Sequence, residues 1–237
     1  MTIEQYFNTA FVINLNRRPD RMEDFRADMS TAGIAPDFIT RWEAFDNPEH
    51  GHAGCTRSHR ELIRAIADGE WNKVLIFEDD CSPITATALK EHGFTPDSIV
   101  WKRFASIDGM NVNQKFSAMT KFIPDDWDVL YLGGSYGENP VRRINQRVIK
   151  TGLIQTTTAY GITREYAKRW SDLIDSQCDI SGFPGPIDNL LCTEAKDRNF
   201  YILQPRLFFQ RKSYSDLSGT NVSHFNSMSD PVHESSV

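Results

Sequence analysis

The run Lys73-Val-Leu-Ile-Phe-Glu-Asp-Asp80 constrains this chain more than any other stretch, because four apolar residues lead directly into three consecutive acids. Residues 74–77 read as a strand buried on both faces, the pattern of a parallel sheet. In an open α/β sheet, ligands bind in the crevice beyond the carboxyl ends of the strands, and Glu78, Asp79 and Asp80 fall there. Carboxylate oxygens at a strand end suit a hard divalent cation such as Mg²⁺ or Mn²⁺, which in turn would neutralise a phosphate-bearing substrate. A run of acids also occurs as a solvated turn, so the rest of the chain has to decide between the two.

With 237 residues, 40% of them apolar, the chain can form one large α/β domain or two small ones around a real core. No stretch approaches the roughly 18 apolar residues of a membrane span. The start, Met-Thr-Ile-Glu-Gln-Tyr, lacks the basic and apolar regions of a signal peptide, so the expected location is cytoplasmic. Cys55, Cys81, Cys178 and Cys192 lie far apart with no Cys-x-x-Cys, which argues against a zinc ribbon and a disulfide framework and for free thiols. The net charge of -6 gives no overall basic footprint for nucleic acid, although Arg142, Arg143, Arg147 and Lys150 form one local basic cluster.

The strand-then-polar-loop logic also appears earlier. Phe11-Val-Ile-Asn-Leu15 reads as a strand, and Asn16-Arg-Arg18 leads to Pro19, whose fixed φ suits a first helical position. The helix that follows puts Met22, Phe25, Met29 and Ala32 on one face and stops at Gly33. Arg17, Arg18 and Arg21 then cluster at a strand's carboxyl end and a helix's first turn, a place for an anion or for a solvated helix start. Residues 38–45 read as a second strand before a polar loop through Asn47, Pro48 and Gly51.

His50-Gly-His52-Ala-Gly-Cys55-Thr-Arg-Ser58-His59 offers four soft or borderline metal ligands, but their spacing fits no standard zinc pattern. Ser58 and Glu61, three apart, can instead form a capping box that opens a helix with Leu62, Ile63, Ile66 and Ala67 buried and Gly69 at its end. That places His59 in the first turn, facing either the ligand crevice or a hydrogen-bond partner in the core. Residues 86–92 look helical, and residues 93–126 read as an irregular insertion with one short helix.

Trp127-Asp-Val-Leu-Tyr-Leu-Gly-Gly134 is a second buried-type strand ending in a glycine pair, where a backbone can approach a ligand closely. Residues 148–162 alternate as one or two strands with a turn near Gly152. Thr163 can cap a helix whose Tyr166, Ala167, Trp170, Leu173 and Ile174 share a face. Pro186-Ile-Asp188 reads as another helix start, with Asp188 either a helix-start charge partner or a catalytic group. Residues 200–203 and 207–209 read as short strands. The fold expected is a single α/β domain over residues 1–225, followed by a flexible tail over 226–237.

Seven pieces in order resemble glycosyltransferase family 25, the group of lipopolysaccharide-type sugar transferases and collagen galactosyltransferases. They are Val12-Ile-Asn14-Leu15 with Arg18, Asp20 and Arg21; Gly54-Cys55; Ser58-His59; Leu75-Ile-Phe-Glu-Asp-Asp80; Trp127-Asp-Val-Leu-Tyr-Leu132; Thr158-Ala-Tyr160; and Pro186-Ile-Asp188. The resemblance runs from Phe11 to Asp216. It implies a GT-A-like fold, in which a Rossmann-like mixed sheet is flanked by helices, and a Mn²⁺- or Mg²⁺-dependent transfer of sugar from a nucleotide-diphosphate donor, a UDP-sugar, to an acceptor hydroxyl.

The resemblance also implies site roles. Glu78-Asp79-Asp80 matches the family's acidic motif, with Asp80 and Glu78 as metal ligands and His224 as a third candidate. Asn14, Arg18, Arg21, Ser58, His59, Glu78 and Asp79 are the donor-binding candidates. Asp188 is the candidate general base for inversion at the anomeric carbon. The acceptor, a glycan, a lipid-linked sugar or another hydroxyl, is not defined by any motif. Two other readings of the same acids are a metal-dependent phosphoryl transferase or nuclease and a nucleotide-sugar-binding protein without turnover.

Overall fold

A computed structural model describes residues 1–91, 93–98, 101–102, 109–136, 142–152, 154–177, 185–211, 213–215 and 220–222. The chain runs α1 Ile3–Tyr6, β1 Thr9–Asn14, α2 Pro19–Ala32, β2 Ile39–Glu43, α3 Gly51–Asp68, β3 Lys73–Glu78, β4 Cys81–Pro83, α4 Ala86–Glu91 and α5 Val112–Met119. It continues through β5 Val129–Tyr131, β6 Ser135–Tyr136, β7 Arg142–Asn145, β8 Val148–Lys150, β9 Ile154–Gln155, β10 Ala159–Thr163 and α6 Arg164–Gln177. The last elements are α7 Ile187–Leu191, β11 Phe200–Leu203, β12 Phe208–Gln210, β13 Ser213–Ser215 and β14 Thr220–Val222.

Eight of these strands form one sheet in the order β2-β1-β3-β10-β5-β11-β8-β7. β1 lies parallel to both β2 and β3, and β11 lies parallel to β5, while β10 runs antiparallel between β3 and β5. The carboxyl ends of β1, β2 and β3 therefore open side by side along one edge. A mixed sheet flanked by helices is the α/β architecture expected from the sequence. Among the described residues, no helix is long and apolar enough to cross a membrane.

The period of two along each strand divides the core between the two faces of the sheet. Ala10, Val12, Leu75, Phe77, Leu130 and Leu203 pack on one face with Met22, Phe25 and Met29 of α2 and Phe116 of α5. Phe11, Ile13, Val74, Ile76, Tyr131, Tyr160 and Ile202 pack on the other with Leu62, Ile63 and Ile66 of α3 and Tyr166 and Trp170 of α6. Every residue expected on the inner face of α2 is buried there, and Gly33 ends the helix at φ 76°. Within residues 93–126, α5 has Asn111 and Gln114 in a reciprocal capping box and buries Val112, Phe116 and Met119.

The third helix departs from the sequence reading. α3 begins at Gly51 rather than near Ser58, so Ser58 is interior and caps nothing; its hydroxyl donates to Gly54 O at 2.7 Å and accepts from Phe45 N at 2.8 Å. Gly54 explains the early start. A Cβ there would lie 2.7 Å from Phe45 O, so the missing side chain lets these first turns press against the loop after β2. His59 accordingly falls in the third turn of α3. The glycine pair also differs: Gly133 is closed upon by the chain itself, since a Cβ there would lie 2.9 Å from Phe208 O.

Gly161, in β10, faces Phe7, and a Cβ there would sit 2.5 Å from the Phe7 ring and 3.4 Å from Trp127. Gly161→Ala is expected to destabilise the fold by about 1–3 kcal/mol through overpacking. Urea denaturation checks this, and an unchanged midpoint would mean that the ring has room to retreat.

Candidate functional site

The loops after β1, β2 and β3 enclose a cavity of about 300 Å³ lined by Leu15, Arg17, Arg21, Ala44–Pro48, Glu78, Asp79, Asp80 and Gln210, with Cys55, Ser58 and His59 of α3 at its wall. Its position beyond adjoining parallel carboxyl ends is the one expected for a ligand crevice. Six of the candidate residues from the sequence, Arg21, Ser58, His59, Glu78, Asp79 and Asp80, share this lining.

The three acids meet different fates. Both Asp79 oxygens are taken: Oδ1 by Arg21 Nη1 at 2.8 Å and Oδ2 by Asn14 Nδ2 at 2.8 Å. Asp80 Oδ2 accepts from Arg21 Nη2 at 2.6 Å and from Gln210 Nε2 at 3.1 Å, while its Oδ1 is buried without a hydrogen-bond partner. Glu78 Oε1 accepts from the Thr157 hydroxyl at 2.5 Å and lies 3.5 Å from His59 Nε2. One guanidinium thus serves two carboxylates, and a third carboxylate stands beside them.

Electrostatics follow from that crowding. Burial, aggravated by the charge of Glu78, pushes Asp80 up to about 7 despite Arg21. Burial also raises Asp79, against the pull of Arg21 and Asn14. Desolvation opposes ionisation of Glu78, but His59 and Thr157 outweigh it and hold its carboxyl below the ordinary range. The group left with an unsatisfied oxygen is therefore also the one that resists its charge most.

Asn14, buried at the end of β1, receives Arg41 Nε at its Oδ1 and donates to Asp79 and to the Arg18 carbonyl. Arg18 itself turns to Asp20 at 2.9 Å and is not in the lining, and Arg17 pairs with Asp46 at 2.8 Å. His59 is fully buried, with Nδ1 2.9 Å from the Tyr160 hydroxyl. Asp188, in the first turn of α7, is half-buried and outside the cavity lining; it accepts from its neighbour Asn189 N at 2.9 Å and from Thr156 N at 3.4 Å. His224 and Asp216 lie outside the described residues.

Thr157, Tyr160, Arg41 and Gln210 shape the site without having been picked out individually from the sequence, apart from Tyr160 as part of a motif. The threonine run 156–158 was its own signal. Thr156 holds φ 74°, a region that β-branched residues rarely adopt. Strain of this kind, on the order of 1–3 kcal/mol, persists only where neighbours enforce it. Here Thr156 N reaches Asp188 and Thr157 reaches Glu78.

The sequence matches no family model and no curated protein. Solved structures that resemble it include a Drosophila β-1,4-galactosyltransferase 7 complexed with manganese, UDP-Gal and xylobiose, at 8% identity and TM-score 0.44 over 96% of this chain and 81% of that one. Another is a glycosyltransferase involved in glycosylation of the major capsid of PBCV-1, at 10% identity and TM-score 0.45 over 88% and 95%. A third is an apo UDP-glucose pyrophosphorylase, at 9% identity and TM-score 0.44 over 85% and 76%. Similarity at this level assigns neither a family nor an activity.

Because Asp80 keeps its proton in the folded state up to about pH 7, against an ordinary 3.8, the folded protein binds a proton that the unfolded chain releases across that window. Its contribution to stability therefore falls as pH rises from the lower value to the higher. Asp80→Asn removes that loss. In chelator, the variant should gain melting temperature over wild type at about pH 8, with a smaller gain at about pH 4. A pH-independent difference would remove the buried-charge account.

Proposed function

We propose that this chain is a glycosyltransferase that moves a sugar from a nucleotide-diphosphate donor, a UDP-sugar, to an acceptor hydroxyl, in the manner of family 25. The observation that carries this reading is the strand-end cavity, where Arg21, Glu78, Asp79 and Asp80 converge and Asp80 keeps a buried, unpaired oxygen. The ordered motifs from Phe11 to Asp216 support it from the sequence side. A cavity of about 300 Å³ is at the lower end of the range that small-molecule ligands occupy.

The donor set fits a hard divalent cation, Mn²⁺ or Mg²⁺, at one defined place. Asp80 Oδ1 is an oxygen donor without a partner inside an acid cluster that carries more negative charge than Arg21 offsets. Asp80 would hold the ion with Glu78 adjoining, and the ion when bound would stabilise charge on a departing diphosphate as a Lewis acid. Arg21, already between two carboxylates, keeps a permanent positive charge beside that place and assists electrostatically. Asn14 fixes Asp79, and through it the orientation of Arg21.

Asp188 is the proposed base. It would take the acceptor proton while the acceptor oxygen attacks the anomeric carbon from the side opposite the leaving group, which inverts that centre. Its hydrogen bond from the strained Thr156 ties it to the turn that also carries Thr157 and so Glu78. Work at the cavity requires α7 to present Asp188 from just outside the lining.

Two measurements test the reading. By calorimetry, wild-type protein should bind UDP only with Mn²⁺ or Mg²⁺, and Asp80→Ala should abolish that metal dependence; equal binding in chelator and in Mn²⁺ would remove the metal role. Asp188→Asn should lower sugar transfer by roughly 10²–10⁴ while donor affinity stays within a few-fold. Near-normal transfer by the variant would leave Asp188 as a helix-start residue, since Asn serves a helix terminus well. Release of phosphate or cleavage of nucleic acid in place of glycosylated product would point to the phosphoryl-transfer alternative.

A further inference from the structure

One side-chain cluster in the cavity wall includes Glu78, which the proposed transfer uses, together with Cys55 and His59, to which the proposed mechanism gives no step. Cys55 and His59 are four apart on α3 and so project from the same face, and Glu78 ends the adjoining β3. One donor atom from each of Cys55, His59 and Glu78 lies within 4.8 Å of the other two, and all three residues line the cavity. The second observation is His59 itself. It is fully buried, its Nε2 makes no hydrogen bond, and that nitrogen faces Glu78 Oε1 at 3.5 Å.

We propose that Cys55 Sγ, His59 Nε2 and Glu78 bind a borderline divalent ion of the Zn²⁺ class in the wall of the cavity. Sulfur and imidazole donors select such an ion over Mg²⁺ or Mn²⁺, which prefer all-oxygen surroundings. Three protein ligands with a fourth position open to a cavity is the pattern of a reactive zinc site rather than a closed structural one.

The surroundings are arranged as ligand supports. In the tautomer with the proton on Nδ1, His59 donates to the Tyr160 hydroxyl at 2.9 Å and its Nε2 lone pair is left for a metal, which would replace the proton as the positive partner of Glu78. Thr157 fixes Glu78 by its short hydrogen bond. Zinc–ligand bonds of about 2.0–2.3 Å require the three donors to draw closer than they stand, so metal binding involves a side-chain adjustment of Cys55, His59 and Glu78. Binding breaks the Cys55 S–H bond, forms the S–metal bond and releases the proton to solvent; no electron is transferred.

This site shares Glu78 with the proposed hard-cation place but does not use Asp80 Oδ1, and it holds whether or not the chain transfers sugar. The test is Co²⁺ titration of the full chain after chelator treatment. Wild type should develop a near-ultraviolet thiolate-to-cobalt absorption and the visible bands of four-coordinate Co²⁺, saturating at a single equivalent, bleached by Zn²⁺ and unaffected by excess Mg²⁺. Cys55→Ala should lose the thiolate absorption, whereas Cys192→Ala and Asp80→Asn should keep it. Tyr160→Phe should weaken Co²⁺ binding by about 10–100-fold. Circular dichroism on each variant, with Cys55→Ser as the near-isosteric substitute, separates ligand loss from misfolding. Absence of thiolate absorption in wild type, or its persistence in folded Cys55→Ala or Cys55→Ser, would overturn the site.

Discussion

The site depends on one guanidinium. Arg21 reaches from the first turn of α2 to grip Asp79 and Asp80 together, so it ties the helix after β1 to the turn after β3. Around it the contacts extend to Arg41 through Asn14 and to Gln210 through Asp80. Arg21 and both aspartates are almost wholly buried, and such a network stabilises only if its members are satisfied. All are engaged except Asp80 Oδ1 and a few donor and acceptor atoms beside it, and the shortfall is one of positive charge. That imbalance lies at the mouth of a strand-end crevice, which is where the proposed cation would act.

The sheet was legible because its strands are buried on both sides and its helices show a clear inner face. Met22, Phe25, Met29 and Ala32 recur at helical spacing, and Gly33 marks the stop through its left-handed conformation. The start of α3 was not legible in the same way. Ser58 and Glu61 have the spacing of a capping box, but whether a helix begins there depends on what lies against the preceding residues. Gly54 lets the backbone of α3 approach the Phe45–Asn47 loop, and that long-range packing extends the helix back to Gly51. Local pattern yields to tertiary contact at such a boundary.

The site was legible in membership more than in role. The strand-end acids and Arg21 could be chosen from their position after apolar runs, and His59 from the helix start expected at Ser58, and the fold brings them together. Which oxygen is tied and which is left bare depends on side chains far away in sequence: Gln210 reaches Asp80, and Thr157 reaches Glu78. Arg18 illustrates the converse. It follows the same strand as Asn14, yet Asp20 two residues on captures its side chain. Likewise, Cys55 and His59 carried no recognisable zinc spacing because their third partner arrives from another element.

Three consecutive acids look like one ligand, but the strand ending separates them. Glu78 is still in register with β1, opposite Ile13, and its side chain points to the α3 face, towards His59 and Thr157. Asp79, one position on, projects to the opposite side and meets Arg21 and Asn14 of the β1 and α2 segment. Asp80 lies in the turn, where strand alternation no longer applies, and is shared between Arg21 and Gln210. The run therefore supplies a carboxylate beside sulfur and imidazole, a carboxylate consumed by structure, and a carboxylate with one free oxygen. Hard and borderline ions prefer different members of that set, so an ion found to bind in this cavity would report by its identity which acid is acting.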